Sequence, residues 1–380
     1  MHSYRYLIVG GGMTADAACR GIRDHDADGT IGLVSAETHP PYDRPPLSKA
    51  LWQGKDESSI WRGTEEIGVE LSLGRRIVSL DLDARRATDD GGAEYAYERL
   101  LLATGGRPRR LGDDDGVVYF RTYDDYKRLR ELSREGGTFV VVGGGFIGSE
   151  IAAALQSNGA SVTMVVSDDG IGARLFPAAL SSFVTDYYRE RGVEVLTGER
   201  ARAGDPRFAA ATGVVAGLGI EPSTELAAAT GLPVDNGVVV DSLGRVEGRE
   251  DLFAAGDVAN FPLLPLGTVT RVEHEDHARS HGKAVGANMA GAATPYDHLP
   301  FFYSDLFDLG YEAVGEVDSR LETVEEWKEP GREGVVAYVD EALRPRGFLL
   351  WNVWGKVDAA RDLIRAAQPI DVAGVRELAG

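Results

Sequence analysis

Two glycine clusters in this chain stand where glycine can hold phosphate. Gly10-Gly11-Gly12-Met13-Thr14-Ala15 follows the apolar run Tyr6-Leu7-Ile8-Val9, and Gly143-Gly144-Gly145-Phe146-Ile147-Gly148 follows Phe139-Val140-Val141-Val142. Gly10, Gly12 and Ala15 give the first a G-x-G-x-x-A spacing, and Gly143, Gly145 and Gly148 complete the second. Each apolar run reads as a buried strand. Each cluster opens a helical stretch, the first through Ala17 and Ala18, the second from Ser149 to Asn158. Glycine permits a tight turn and close backbone approach to a pyrophosphate, and the helix that follows offers N–H groups and a positive dipole end. Alone, such a loop says little. Two of them in strand–loop–helix context predict a chain that holds two dinucleotides.

The carboxylates after each loop indicate which nucleotide. Thr30–Ser35 reads as the strand after the first loop, and Glu37 lies just past it, where a carboxylate accepts hydrogen bonds from ribose hydroxyls. After the second loop, Ser161–Val166 is the equivalent strand and runs into Ser167-Asp168-Asp169-Gly170. Asp168 suits a free ribose diol and repels a 2′-phosphate, which favours NADH; Arg174, able to reach a phosphate, leaves NADPH open.

Composition narrows the class. A length of 380 residues suggests two or three domains. The net charge of −20 argues against nucleic acid or an anionic membrane as partner. No apolar run approaches the roughly 20 residues of a membrane-spanning helix. The first strand starts within a few residues of Met1 with no charged-then-apolar leader, so a cytoplasmic enzyme is expected. Cys19 is the only cysteine, placed inside the first nucleotide helix, so the chain cannot pass electrons through a dithiol pair. His274, His277 and His281 can share one helix face, but no cysteine or other fixed ligand stands nearby, and no metal is expected.

Between the loops lies Pro40-Pro41-Tyr42-Asp43-Arg44-Pro45-Pro46-Leu47-Ser48-Lys49. With Leu100–Gly106 (LLLATGG), Val215–Pro222 (VAGLGIEP), Leu252–Asp257 (LFAAGD), Arg271–His274 (RVEH), Pro300–Leu306 (PFFYSDL) and Gly347–Asn352 (GFLLWN), this segment closely resembles the FAD-dependent ferredoxin reductases of oxygenase systems and their relative apoptosis-inducing factor. The resemblance spans nearly the whole chain. It implies an α/β fold of two Rossmann-like domains, glutathione-reductase-like with one inserted in the other, plus a C-terminal α+β domain. FAD would be held by residues 1–109 and 237–295, the nicotinamide cofactor by 110–236, and 296–380 would form the C-terminal interface domain.

In that family the first loop binds FAD and the second NAD(P)H. The resemblance places Arg44, Pro45 and Lys49 near the flavin pyrophosphate and ring, and adds Ala103, Thr104, Gly105, Gly256, Asp257, Glu273 and His274 to the FAD set. A helix beginning soon after Gly267 would point its positive end at the flavin. Phe146, Ile147, Gly217 and Gly219 join the NAD set. Lys49 and Glu150 would pair near the flavin N5 and serve the hydride step. Two departures stand out: Glu275 replaces the usual aromatic residue, and the stretch between Val195 and Val214 lacks the longer β-meander of relatives. Alternating apolar runs at 313–314, 323–324, 335–339 and 348–351, then a helix over 357–367, read as a small antiparallel sheet with helical cover, whose Trp351 and Trp354 belong to a core or interface.

The expected activity is hydride transfer from NADH to FAD and single-electron delivery to a ferredoxin-type iron–sulfur protein, by a monomer or homodimer. Ferredoxins are commonly acidic, and Arg107, Arg109 and Arg110 form a candidate docking patch. Two alternatives remain open here: a redox sensor or assembly protein like apoptosis-inducing factor, with a long-lived complex of reduced FAD and NAD, and an NADH oxidase or quinone-type reductase.

Overall fold

Strands rich in Val, Leu, Ile and Tyr, buried on both faces, are what a parallel sheet covered by helices requires. The computed structural model describes residues 2–112 and 116–380; Met1, which opens the expected first domain, and 113–115, inside the expected nicotinamide domain, lie outside the described residues. The chain divides into two compact units, one of Met1–Asp43, Glu57–Arg107 and Glu221–Pro300, the other of Arg44–Asp56, Pro108–Ile220 and Phe301–Gly380.

In the first unit, His2–Val9 lies between Ile31–Ser35 and Glu94–Leu102, parallel to both, with Val9 level with Val34 and Leu102. Val69–Leu73 extends one side, and the antiparallel Arg86–Asp89 and Ile77–Asp81 the other; Leu252–Ala254 also pairs with Glu94–Leu102. Helix Met13–Arg23 packs on helix Glu275–Met289 so closely that a Cβ on Gly286 would collide with the Ala18 carbonyl oxygen. Tyr6, Ile8, Ala18, Cys19, Ile22, Leu101, Phe253 and Met289 form the core beneath. Cys19 is buried there, and burial pushes its thiol pKa far up, away from any nucleophilic role.

The second unit holds a five-stranded parallel sheet in the order Glu194–Thr197, Ser161–Val166, Thr138–Val142, Gly213–Ala216, Val117–Tyr119. It also holds an antiparallel sheet in the order Phe301–Leu306, Leu309–Gly315, Pro345–Trp351, Glu333–Val339, Glu322–Glu329, covered by helices Val357–Ala366 and Val372–Ala379. Trp351 is fully buried, whereas Trp354 is half exposed.

The compact units cut the chain differently from the expected domain bounds. The segment 44–56 groups with the second unit, 221–236 with the first, and 301–380 with the second parallel sheet. Packing, not chain order, decides membership. Helix bounds also differ: the second nucleotide helix is Phe146–Ser157, starting at the loop itself, and the late helix begins at Glu275 rather than soon after Gly267, because Thr268–Thr270 first pairs as a strand with Ala259–Leu263. Between Val195 and Val214 only one short helix, Pro206–Ala209, forms.

Candidate functional site

Both glycine loops have the same construction. Gly10 and Gly143 turn the chain with φ of 129° and 111°, a region that favours glycine, and a Cβ on either would collide with the carbonyl oxygen of Ala103 or of Gly217. Gly12 and Gly145 then cap their helices in extended conformation, φ −89° and −86°. A Cβ on either would enter open space, and neither offers a side-chain oxygen to the first-turn amides. That open face, beside helical N–H groups and a positive dipole end, fits a pyrophosphate.

Around the first loop, Ala103 donates its N–H to Val9 O at 2.8 Å, Gly105 has a φ of 63°, and the Thr104 hydroxyl is bonded to Ser223 O. Glu37 lies past the end of Ile31–Ser35, where its carboxylate accepts the Tyr42 hydroxyl at 2.6 Å. Gly256 and Asp257 begin the turn after Leu252–Ala254, close enough that a Cβ on Gly256 would strike Thr14. Gly256 donates its N–H to His281 Nδ1 at 3.3 Å. Glu273 is paired with Arg271 at 2.7 Å, and Arg271 also reaches Asp257 O. His274 is the N-cap residue of the late helix; burial lowers its pKa to about 4 against the opposing charges of Asp257 and Asp276. The first unit therefore gathers Gly10, Gly12, Ala15, Glu37, Ala103, Thr104, Gly105, Gly256, Asp257, Glu273 and His274.

The late histidines form no outward-facing set. His277 and His281 are buried with ring centroids 4.7 Å apart, against Phe261 at 4.6 and 4.9 Å, and His277 Nδ1 meets the Tyr296 hydroxyl. Burial lowers the pKa of His281 to about 3 and that of His277 well below its ordinary value, helped for His277 by its histidine neighbours. Both are neutral packing groups. Glu275 pairs with Arg279 one turn on.

A buried carboxylate that the sequence did not single out lies in the first turn of the first nucleotide helix. Asp16, fully buried, accepts from Arg20 at 2.9 Å, Arg62 at 2.6 Å and Thr64 at 2.7 Å. Burial alone would raise its pKa; the guanidinium and hydroxyl donors outweigh it and hold it below the carboxylate range.

The second unit carries the other half of the expected residues. Gly217 lies against Gly143 and donates its N–H to Val142 O at 2.8 Å; Gly219 turns with a φ of 79°. Asp168, past the end of Ser161–Val166, pairs with Arg174 at 3.1 Å, so the candidate phosphate ligand is already engaged by a carboxylate. Phe146 opens the nucleotide helix beside Ile147, its ring edge-on to Phe302 at 5.2 Å. Arg44 donates to Arg121 O at 2.7 Å, and Pro45 starts the turn Pro45–Ser48.

Lys49 and Glu150 meet. Lys49 Nζ is 2.7 Å from Glu150 Oε1, with side chains only 12% and 2% exposed, and the Tyr303 ring lies 5.2 Å from the ammonium. Ser48 donates to Glu150 Oε2 and Ser304 to Oε1, each at 2.6 Å. Burial raises the Asp305 pKa, with Lys49 opposing and Glu150 adding to the shift. The sequence names Lys49 and Glu150 but gives no role to Ser48, Ser304 or Asp305, because no local signal links positions more than 100 residues apart. The three candidate docking arginines are all exposed; Arg107 pairs with Glu221 and Glu225, and Arg110 stacks 4.4 Å from the Tyr119 ring.

Residues 4–282 match the family described as pyridine nucleotide-disulphide oxidoreductase, and 285–333 match the C-terminal region of mitochondrion-associated apoptosis-inducing factor. The chain is 33% identical to apoptosis-inducing factor 1 of Dictyostelium discoideum, over 98% of its length and 80% of the relative. It is 33% identical to monodehydroascorbate reductase 3 of Arabidopsis thaliana, over 83% and 81%, and 34% identical to rhodocoxin reductase of Rhodococcus erythropolis, over 81% and 77%. Among solved structures, the putidaredoxin reductase of a covalent complex with putidaredoxin superposes with a TM-score of 0.89 at 26% identity, over 100% of this chain and 96% of that one.

Proposed function

This chain belongs to the pyridine nucleotide-disulphide oxidoreductase family, and from that premise we propose that it is a cytoplasmic flavoprotein reductase that takes hydride from NADH and delivers single electrons to a ferredoxin-type iron–sulfur protein. Bound FAD would supply the conversion of a two-electron donor to one-electron delivery. The first loop and the residues gathered around it would hold the FAD. Gly143, Gly145, Phe146, Ile147, Gly148, Gly217 and Gly219 would hold the nicotinamide cofactor, with Asp168 accepting the ribose hydroxyls. Arg174, tied to Asp168, favours NADH over NADPH.

The observation that carries this reading is the buried pair of Lys49 with Glu150, the latter in the second turn of the second nucleotide helix. Glu150 keeps the ammonium proton on Nζ, and a fixed cation with little water around it stabilises developing negative charge better than the same cation in solvent. A single buried cysteine leaves no dithiol route for the electrons. The iron–sulfur partner is supported by the relatives named above, rhodocoxin reductase and putidaredoxin reductase. No described helix is long and apolar enough to cross a membrane.

The match of 285–333 to apoptosis-inducing factor supports a second reading, a redox sensor that holds reduced flavin with NAD. Anaerobic rapid mixing of the yellow protein with NADH, then with ferredoxin, separates them. Fast bleaching and fast reoxidation establish the reductase; a persistent long-wavelength band with slow reoxidation establishes the sensor.

A further inference from the structure

Glu150 receives more than a lysine. Its carboxylate is nearly inaccessible, and each oxygen accepts a buried hydroxyl: Ser48 on Oε2, Ser304 on Oε1 beside the ammonium. A serine hydroxyl has one proton to give. Ser48 also approaches Pro45 O, but at 3.5 Å against 2.6 Å to the charged acceptor, so its proton goes to Glu150. Ser304 is fully buried on the first strand of the antiparallel sheet, where it is the cross-strand partner of Tyr311. Two segments distant in sequence from Glu150 therefore converge on its carboxylate.

In a buried lysine–carboxylate pair the neutral form competes with the ionic one, because burial penalises both charges. Donors to the carboxylate favour its ionised form. We propose that Ser48 and Ser304 are positioning residues that keep the shared proton on Lys49 rather than on Glu150, so that the site presents a cation. The inference rests on the reading of Lys49 and Glu150 as the hydride-step pair. The other charged or titratable groups around Glu150 act against the ion pair or are silent: Asp305 is a second carboxyl, and the phenols of Tyr188 and Tyr311 are held neutral by burial and by Glu150 itself. The two hydroxyls are the neutral donors that offset Asp305.

The test uses purified holoprotein and the variants Ser48→Ala, Ser304→Ala, Glu150→Gln and Glu150→Gln/Ser304→Ala. Infrared spectra at pH 7 follow the protonated-carboxyl band, assigned to Glu150 by its loss in Glu150→Gln, which separates it from Asp305. Loss of either hydroxyl should make that band appear where the unaltered protein shows none, as the shared proton moves from Lys49 to Glu150. In anaerobic mixing with NADH at pH 7, each serine variant should bleach severalfold more slowly, and Ser304→Ala should add nothing once Glu150 is glutamine. No band and an unchanged bleaching rate in both serine variants overturn the inference. If Glu150→Gln bleaches at the normal rate, the hydride-pair reading fails instead, and the infrared band still decides whether the hydroxyls hold the proton.

Discussion

The two nucleotide loops share a backbone and differ in the carboxylate behind it. Both turn on a glycine of positive φ, both cap their helix with an extended glycine, and both bury an acid in the first helical turns, Asp16 in one and Glu150 in the other. Asp16 is saturated by two guanidiniums and a hydroxyl, groups that do not give up their protons near neutral pH. Glu150 is held by an ammonium and two hydroxyls, and an ammonium can share its proton. One acid ties its helix to residues 62–64. The other sets where a proton sits. Identical loop geometry thus supports a structural anchor in one unit and proton control in the other.

That contrast can be tested hardest with acid. All seven histidines lie in the first unit, and three have depressed pKa values, the buried His277 and His281 and the partly exposed His274. The folded unit refuses protons that the unfolded chain accepts below about pH 6.5, so stability present above that pH is lost as pH falls toward about 4 for His274 and about 3 for His281. At pH 5 His274 and His281 each cost about 2 kcal/mol. Hydrogen exchange at pH 7 and 5 should show the first unit losing protection while the second holds; equal loss in both breaks the contrast.

Asp16→Ala comes next, costing about 3 kcal/mol of stability by stranding Arg62 in a buried setting, as read by thermal or denaturant unfolding. Glu150→Gln should cost less, because Lys49, unlike Arg62, can release the stranded proton. Lys49→Met should slow flavin reduction by NADH about 100-fold while weakening NADH binding much less, and an unchanged rate in rapid mixing counts against the proton role of the second acid. The smallest effect is expected from Asp168→Ala, a loss of about tenfold in the kcat/KM preference for NADH over NADPH, because its carboxylate is partly exposed and occupied by Arg174.

Much of this was legible without coordinates. Strand–glycine–helix order is local chemistry, so both loops, Glu37 and Asp168 could be placed from sequence, and the resemblance paired Lys49 with Glu150. What local pattern does not carry is packing: nothing in a propensity places a short strand at Thr268–Thr270 ahead of the helix, or groups the segment 44–56 with the second compact unit. The acids that pair with Arg107 lie more than 100 residues away, so its local sequence gives no sign of them.

The sequence by itself determined that two strand–glycine–helix loops exist and which acids follow them, because glycine spacing and strand periodicity act over a few residues. Only the tertiary structure decided what surrounds each buried acid. Arg62 and Thr64 reach Asp16, and Ser48 and Ser304 reach Glu150, through packing of segments distant in the chain, and a buried charge is governed by whichever donors that packing delivers.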